Sequence, residues 1–121
     1  MVDEVRVLIV DDSPDAADML ACALELDGFQ VRVAGDGVSA LPLVADFQPH
    51  CVLLDVEMPG LDGYELAKRL RELYADDIVL IAVTGRAADD DRVKGTFRIV
   101  DHYFTKPVDP VRLKKVMRPF G

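Results

Sequence analysis

The sequence contains no tryptophan, and its other aromatic residues are few, at five phenylalanines and three tyrosines. Half of its 121 residues are hydrophobic, which is enough for one sizeable and mainly aliphatic core. Cysteine is equally scarce, and Cys22 and Cys51 each lie in an apolar run without the spacing of a metal pair. We therefore predict two buried free thiols, which is typical of a protein in a reducing cytoplasm.

Basic residues are also fewer than acidic ones. The chain has 14 basic and 22 acidic residues, a formal net charge of −8. This deficit disfavours nucleic acid or an anionic membrane as a direct partner, and it suits a metal ion or a basic protein surface. No hydrophobic run approaches the roughly 20 residues that are needed to span a bilayer.

Apolar runs and amphipathic segments alternate along the chain. The predicted strands are Val5–Val10, Gln30–Ala34, His50–Asp55, Ile78–Val83 and Val100–Thr105. The predicted helices are Pro14–Asp27, Val38–Phe47, Gly63–Tyr74, Asp89–Arg98 and Val111–Arg118. Strict alternation of nearly continuous hydrophobic strands with helices predicts a doubly wound α/β fold, a parallel sheet covered on both faces. We expect one domain over residues 1–121, with a core from about 5 to 118.

Local signals refine the helices. Asp12 or Ser13 is placed to cap the first helix, and Pro42 is expected to weaken the second. The third helix has the clearest apolar stripe, which comprises Leu66, Ala67, Leu70, Leu73 and Tyr74. Its charged residues are expected outside the stripe; they are Lys68, Arg69, Arg71 and Glu72. In the last helix, Leu113, Val116 and Met117 are expected to face inward.

Polar residues follow four of the five predicted strands. They are Asp11 and Asp12, then Asp55, Thr84 and Lys106. Ligands of such sheets bind beyond the carboxyl ends of the strands, so these side chains are expected to converge there. Three carboxylates would repel one another unless a cation neutralised them, and oxygen ligands favour a hard ion. We expect Mg²⁺, with Mn²⁺ as a substitute.

This set of residues suits phosphoryl transfer. Asp55 ends the central strand, and a carboxylate there can attack a phosphoryl group. The cation and Lys106 would neutralise the transferred group, and Thr84 would donate a hydrogen bond to it. Each residue alone has a plainer interpretation, such as a helix cap for Asp12. No glycine-rich phosphate loop follows the first strand, which disfavours nucleotide or flavin binding.

Four motifs resemble those of the receiver domains of two-component response regulators. They are VLIVDDSPD, LLDVEMPGLDGYEL, IAVTG and HYFTKPVD, and the similarity runs from Val5 to about Arg118. The resemblance implies the CheY-like, flavodoxin-like strand order 2-1-3-4-5. It also implies a protein that is not a conventional enzyme. Such a domain takes a phosphoryl group from a histidine kinase or a histidine phosphotransfer domain and speeds its own dephosphorylation.

The resemblance also implies roles for individual residues. Asp55 would be the phosphoacceptor, and Asp11, Asp12 and the backbone carbonyl of Glu57 would join it as metal ligands. Thr84 would be the switch hydroxyl.

Further positions are implied in the same way. Lys106 would pair with the phosphoryl group, and the bond between Lys106 and Pro107 would be cis. Tyr103 would be the switch aromatic, although a half-buried strand tyrosine is the plainer interpretation. A separate hypothesis concerns Glu57 and Arg86, two residues beyond Asp55 and Thr84, which could pair across the crevice mouth, restrict an attacking water and so set the lifetime of the phosphorylated form.

The same resemblance implies a partner surface. Phosphorylation would change the face formed by the predicted fourth helix, the fifth strand and the predicted fifth helix. A downstream protein would bind that face, and a homodimer on phosphorylation is a further expectation. Ile99 stands where the family usually has a glycine that ends the fourth helix, so we expect elevated mobility across Asp89–Arg98.

Three alternatives stay open. One is a haloacid-dehalogenase-type phosphatase, although such enzymes have an aspartate where this chain has Glu57. Another is a degenerate receiver that serves only as an interaction module. The third concerns context, since the chain could be a stand-alone regulator or a receiver segment of a hybrid histidine kinase.

Overall fold

The fold is described from a computed structural model, which covers residues 5–56, 63–84, 99–106 and 108–117. The strands are β1 (Arg6–Val10), β2 (Gln30–Ala34), β3 (Cys51–Asp55), β4 (Val79–Thr84) and β5 (His102–Thr105). The helices are α1 (Pro14–Leu26), α2 (Gly37–Phe47), α3 (Gly63–Tyr74) and α4 (Pro110–Met117). A short 3₁₀ turn, Ala75–Asp77, joins α3 to β4. Helix α4 corresponds to the predicted fifth helix, and the predicted helix Asp89–Arg98 lies outside the described residues.

The five strands form one parallel sheet in the order β2-β1-β3-β4-β5, which confirms the expected topology. Strand β3 is central, and all five of its residues are buried. Burial on both faces explains why its sequence, CVLLD, has no alternation of polar and apolar residues. The acid that ends it is therefore held by the most enclosed strand of the sheet.

The core consists of two aliphatic layers, one on each face of the sheet. One layer packs α2 and α3 against the strands, and the other packs α1 and α4. No phenylalanine, tyrosine or other aromatic residue is fully buried in the described part of the chain, so the aliphatic core is confirmed. No helix among those residues is both long enough and apolar enough to cross a bilayer.

Of three residues that were predicted to be buried, Cys51 is buried, whereas Cys22 and Leu73 are exposed. Burial of Cys51, with a contribution from the negative charge of Asp101, raises the pKa of its thiol to about 12. Cys22 is free as predicted, but it is exposed on α1. Leu73 was placed in the apolar stripe of α3, yet its side chain is 66% exposed. Both predictions were wrong, because no element among the described residues covers Cys22 on α1 or Leu73 on α3.

Helix ends follow the sequence signals only in part. Ser13 is the N-cap of α1, but its side chain makes no capping hydrogen bond. Gly28 ends α1 with a φ of +93°, a left-handed conformation that favours glycine. Helix α2 continues through Pro42, so the loss of one backbone donor weakens this helix without ending it.

Arg71 joins α3 to the start of β4 and to the segment before β5. Its guanidinium donates hydrogen bonds to three backbone carbonyls, those of Ala75, Ile78 and Ile99, at 2.8 to 3.0 Å. It also donates to the Asp101 carboxylate at 2.5 Å. The same carboxylate oxygen accepts the backbone N–H of Leu80 at 2.9 Å. Arg71 belongs to the charged side of α3 that the sequence places outside the apolar stripe, yet its side chain is only 21% exposed because these contacts cover it.

Candidate functional site

The acidic residues are positioned by the backbone of the sheet. Asp11 directly follows β1, and its N–H donates to the carbonyl of Ala34 at the end of β2. Asp55 is the last residue of β3 and lies beside Val83 of β4 in the parallel register. Because the carboxyl ends of parallel strands lie at the same edge of the sheet, Asp11 and Asp55 lie on one rim.

Three carboxylates meet at this rim. One oxygen atom each from Asp11, Asp12 and Asp55 lies within 4.8 Å of the other two. Lys106 reaches the same place from the end of β5, with Nζ at 3.0 Å from Asp55 Oδ2 and 3.8 Å from Asp11 Oδ2. Counted over the described residues, three carboxylates against one ammonium leave a formal charge of −2. That charge matches a divalent cation.

Partial burial makes this charge costly. Burial raises the pKa of Asp11, and the negative charges of Asp55 and Asp12 raise it further. A hydrogen bond from the Ser13 N–H, 2.9 Å long, and the charge of Lys106 act in the opposite direction without cancelling the increase. The ionised form of Asp11 would therefore be stabilised by added positive charge at this site.

The donor set fits a magnesium ion. Among the described residues, the groups that could hold it are carboxylate oxygens, with no imidazole or thiolate, and a hard cation favours such oxygen ligands. Asp12 is exposed and Asp11 is half-buried, whereas Asp55 is buried. A cation at this position would therefore be open to solvent on one side, where waters and a phosphoryl oxygen could complete its coordination.

Replacing Asp11 tests this assignment. Asp11→Asn is expected to weaken Mg²⁺ binding by at least about tenfold, since loss of even an outer-shell partner costs about that much. The pKa of Asp11 is raised above 3.8, so the folded state holds this proton more tightly than the unfolded chain. The ionised carboxyl thus lowers the free energy of unfolding at neutral pH, and this cost is lost progressively as the pH falls from the raised pKa to below 3.8.

Two measurements follow for the metal-free and metal-bound protein. At pH 7 and without metal, Asp11→Asn should melt at a higher temperature than the wild type. The Mg²⁺ affinity of the wild type should decline on acidification, because Asp11 gains its proton. Calorimetry of both proteins would check this, with Asp18→Asn on the exposed side of α1 as the control. Unchanged Mg²⁺ affinity in Asp11→Asn would contradict the assignment.

Thr84 and Lys106 are held by neighbouring strands. Thr84 ends β4 and is fully buried, and its carbonyl accepts the N–H of Lys106 at 2.8 Å. This backbone hydrogen bond fixes the point at which the lysine leaves the sheet. Tyr103 lies two residues before Thr105 on β5, pairs in register with Ala82 and is 55% exposed.

Several predicted site residues lie outside the described part of the chain. They are Glu57, Arg86 and Pro107. One hydrogen bond among the described residues was not predicted from the sequence. The backbone N–H of Ser13 donates to the carboxylate of Asp11. An aspartate two residues before a helix N-cap is a signal for such a turn.

Comparisons with known proteins agree with this geometry. Residues 7–118 match the family described as response regulator receiver domain. The response regulator MprA of Mycobacterium sp. (strain KMS) is 41% identical over 103 residues, which are 85% of this chain and 44% of that protein. The phosphate regulon transcriptional regulatory protein PhoB of Pseudomonas aeruginosa is 38% identical over 120 residues, 95% of this chain and 52% of the relative. This chain thus spans about half the length of these curated relatives.

Solved structures show the same fold. A CheY-like response regulator receiver domain protein from Methanospirillum hungatei JF-1 superposes with a TM-score of 0.88 at 27% identity. That match covers 97% of this chain and 93% of the other. A signal receiver domain of a histidine kinase from Syntrophus aciditrophicus superposes with a TM-score of 0.84 at 30% identity, covering 96% and 89%.

Proposed function

Because the chain belongs to the family of response regulator receiver domains of two-component systems, we propose that it accepts a phosphoryl group on Asp55. The donor would be a histidine kinase or a histidine phosphotransfer domain. The observation that carries this proposal is a buried carboxylate 3.0 Å from a lysine and within 4.8 Å of two further acids. The proposed receiver comprises residues 1–121, with a core from about 5 to 118.

The chemistry is a direct transfer to a carboxylate. An oxygen of Asp55 attacks phosphorus, and the bond between phosphorus and the donor atom breaks. Lys106 donates a hydrogen bond to Asp55 in the resting state and is placed to contact the arriving phosphoryl oxygens. The Thr84 hydroxyl would donate to another oxygen. Mg²⁺ held by Asp11, Asp12, Asp55 and the Glu57 carbonyl would supply the remaining positive charge.

The signal would be a shift between two conformations. Attraction of the Thr84 hydroxyl to the phosphoryl group would let Tyr103 move inward from its exposed position. This movement would alter the face that includes β5 and α4, where a downstream protein or a second copy would bind. The chain is thus a signalling protein rather than a conventional enzyme, and we expect it to act in the cytoplasm.

Small-molecule phosphorylation tests the proposal. Incubation with acetyl phosphate and Mg²⁺ should add one phosphoryl group per chain, measured by intact mass, and excess EDTA should prevent it. The adduct should decay once the donor is removed, and the amide spectrum should change around Tyr103 while it persists. Continuous turnover of a phosphomonoester would instead favour the phosphatase alternative, and a chain that never gains a phosphoryl group would contradict the receiver function.

A further inference from the structure

A cavity of about 630 Å³ opens beside the proposed phosphoacceptor. It is lined by the charged residues Asp11, Asp55 and Lys106, and the other described residues in its wall are apolar. Its volume falls in the range of about 300–1,000 Å³ that is typical of small-molecule sites. The cavity therefore combines a charged end, at the reacting carboxylate, with a hydrocarbon-lined body.

The cavity lies between α1 and α4 on one face of the sheet. The wall from α1 comes from its first three turns, and Val108 and Pro110 form the opposite side. Beyond the end of α1, Asp27 forms an ion pair with Lys114 of α4 at 2.7 Å. The two helices are thus tied together at that end and are separated by the cavity nearer the acidic rim.

Two of the four α1 residues that line the cavity are alanines. Ala16 and Ala23 line the cavity seven residues apart, on the same side of the helix. Met19 also lines the cavity and is 75% exposed, although it is a large hydrophobic residue. An unbranched thioether can adapt to occupants of different shape.

We infer that the cavity receives the hydrocarbon chain of an acyl phosphate, so that this receiver is phosphorylated by propionyl or butyryl phosphate more readily than by acetyl phosphate. This inference rests on the proposed function of Asp55. An acyl phosphate has the two parts that the cavity requires, a dianionic head for the lysine and cation and an apolar tail for the walls. No other charged side chain lines the cavity among the described residues.

The reaction is balanced without a further reagent. An Asp55 oxygen forms a bond to phosphorus, and the bond between phosphorus and the acyl oxygen breaks. The electron pair of that bond leaves with the carboxylate, which is propionate or butyrate. A carboxylate leaving group needs no proton, so no general acid is required at this end of the cavity.

Chain length is the first test. Each methylene that is removed from water can raise the rate constant up to about fourfold, so butyryl phosphate, with two more methylenes, should label the protein at least about tenfold faster than acetyl phosphate at donor concentrations below saturation. Labelling would be followed by intact mass with Mg²⁺ present, after correction for spontaneous hydrolysis of each donor. Equal or slower labelling by butyryl phosphate would overturn the inference.

Filling the cavity is the second test. Ala16→Leu should reduce the ratio of the butyryl to the acetyl rate constant from about tenfold to about twofold or less. Ala23→Leu is a second filling variant, for use if the first one misfolds. Ala45→Leu is the matched control, because it makes the same change at an exposed position of α2 and should retain the wild-type ratio. A filling variant that folds and keeps the wild-type ratio would also overturn the inference.

A binding measurement separates the inference from the proposed function. The unreactive analogue 2-oxopentylphosphonate should bind about tenfold more tightly than 2-oxopropylphosphonate in the presence of Mg²⁺. The amide signals of Leu20 and Val108, both in the cavity wall, should shift only with the longer analogue. If no donor labels the chain, the proposed function fails and the donor preference fails with it, whereas the phosphonates still decide whether the cavity binds the acyl chain. If acetyl phosphate labels it and chain length has no effect, only the inference fails.

Discussion

Asp55→Asn is expected to abolish covalent phosphorylation, with no mass increase under conditions that label the wild type completely. The amide oxygen of asparagine is a far weaker nucleophile than a carboxylate, so a loss of more than about 100-fold is expected. The variant should fold normally, since the amide is of the same size and its oxygen can still accept the hydrogen bond from Lys106. Loss of labelling would then reflect chemistry rather than stability.

The control is another aspartate-to-asparagine change. Asp18 is exposed on α1, so Asp18→Asn should be labelled as fast as the wild type. Peptide mapping of the labelled wild type should place the phosphoryl group on Asp55. A phosphoryl group on Asp11 or Asp12, or full labelling of Asp55→Asn, would contradict the assignment of the acceptor.

Arg71→Ala is expected to lower the free energy of unfolding by about 3 kcal/mol. The change removes four hydrogen bonds, and hydrogen bonds to charged groups contribute about 1.5–3 kcal/mol each when buried. Partial exposure reduces this sum, because water replaces the guanidinium at the more open positions. The Asp101 carboxylate would keep only its hydrogen bond from the Leu80 N–H among those described above.

Urea denaturation would measure this loss, and the melting temperature should fall by roughly 10 °C. Arg69→Ala is the matched control, because Arg69 is exposed two residues earlier on α3 and its loss should change stability by no more than about 0.5 kcal/mol. Arg71→Lys should recover only part of the stability, since an ammonium cannot reproduce the planar fork of donors. An effect of Arg71→Ala as small as that of Arg69→Ala would show that these contacts are replaced by water without cost.

Local patterns predicted inward and outward faces less well than they predicted elements. Leu73 continues the apolar spacing of α3, but whether a residue is buried depends on what lies opposite it. Cys22 is a similar case on α1. Arg71 shows the converse, because a charged residue on the polar side of an amphipathic helix is predicted to be solvated, yet this side chain is mostly covered. Its partner Asp101 lies 30 residues away, and no local rule joins the two.

The order of apolar runs and helices in the sequence was sufficient by itself to determine a parallel sheet. It also determined the edge at which Asp11, Asp55 and Lys106 meet, because the carboxyl ends of parallel strands share one rim. Only the tertiary structure decided how far apart α1 and α4 lie, and hence that a cavity adjoins the acids. That spacing depends on the packing of side chains from distant segments. The spacing of apolar residues in the sequence predicts which side of a helix is apolar, but it does not predict how closely another helix approaches that side.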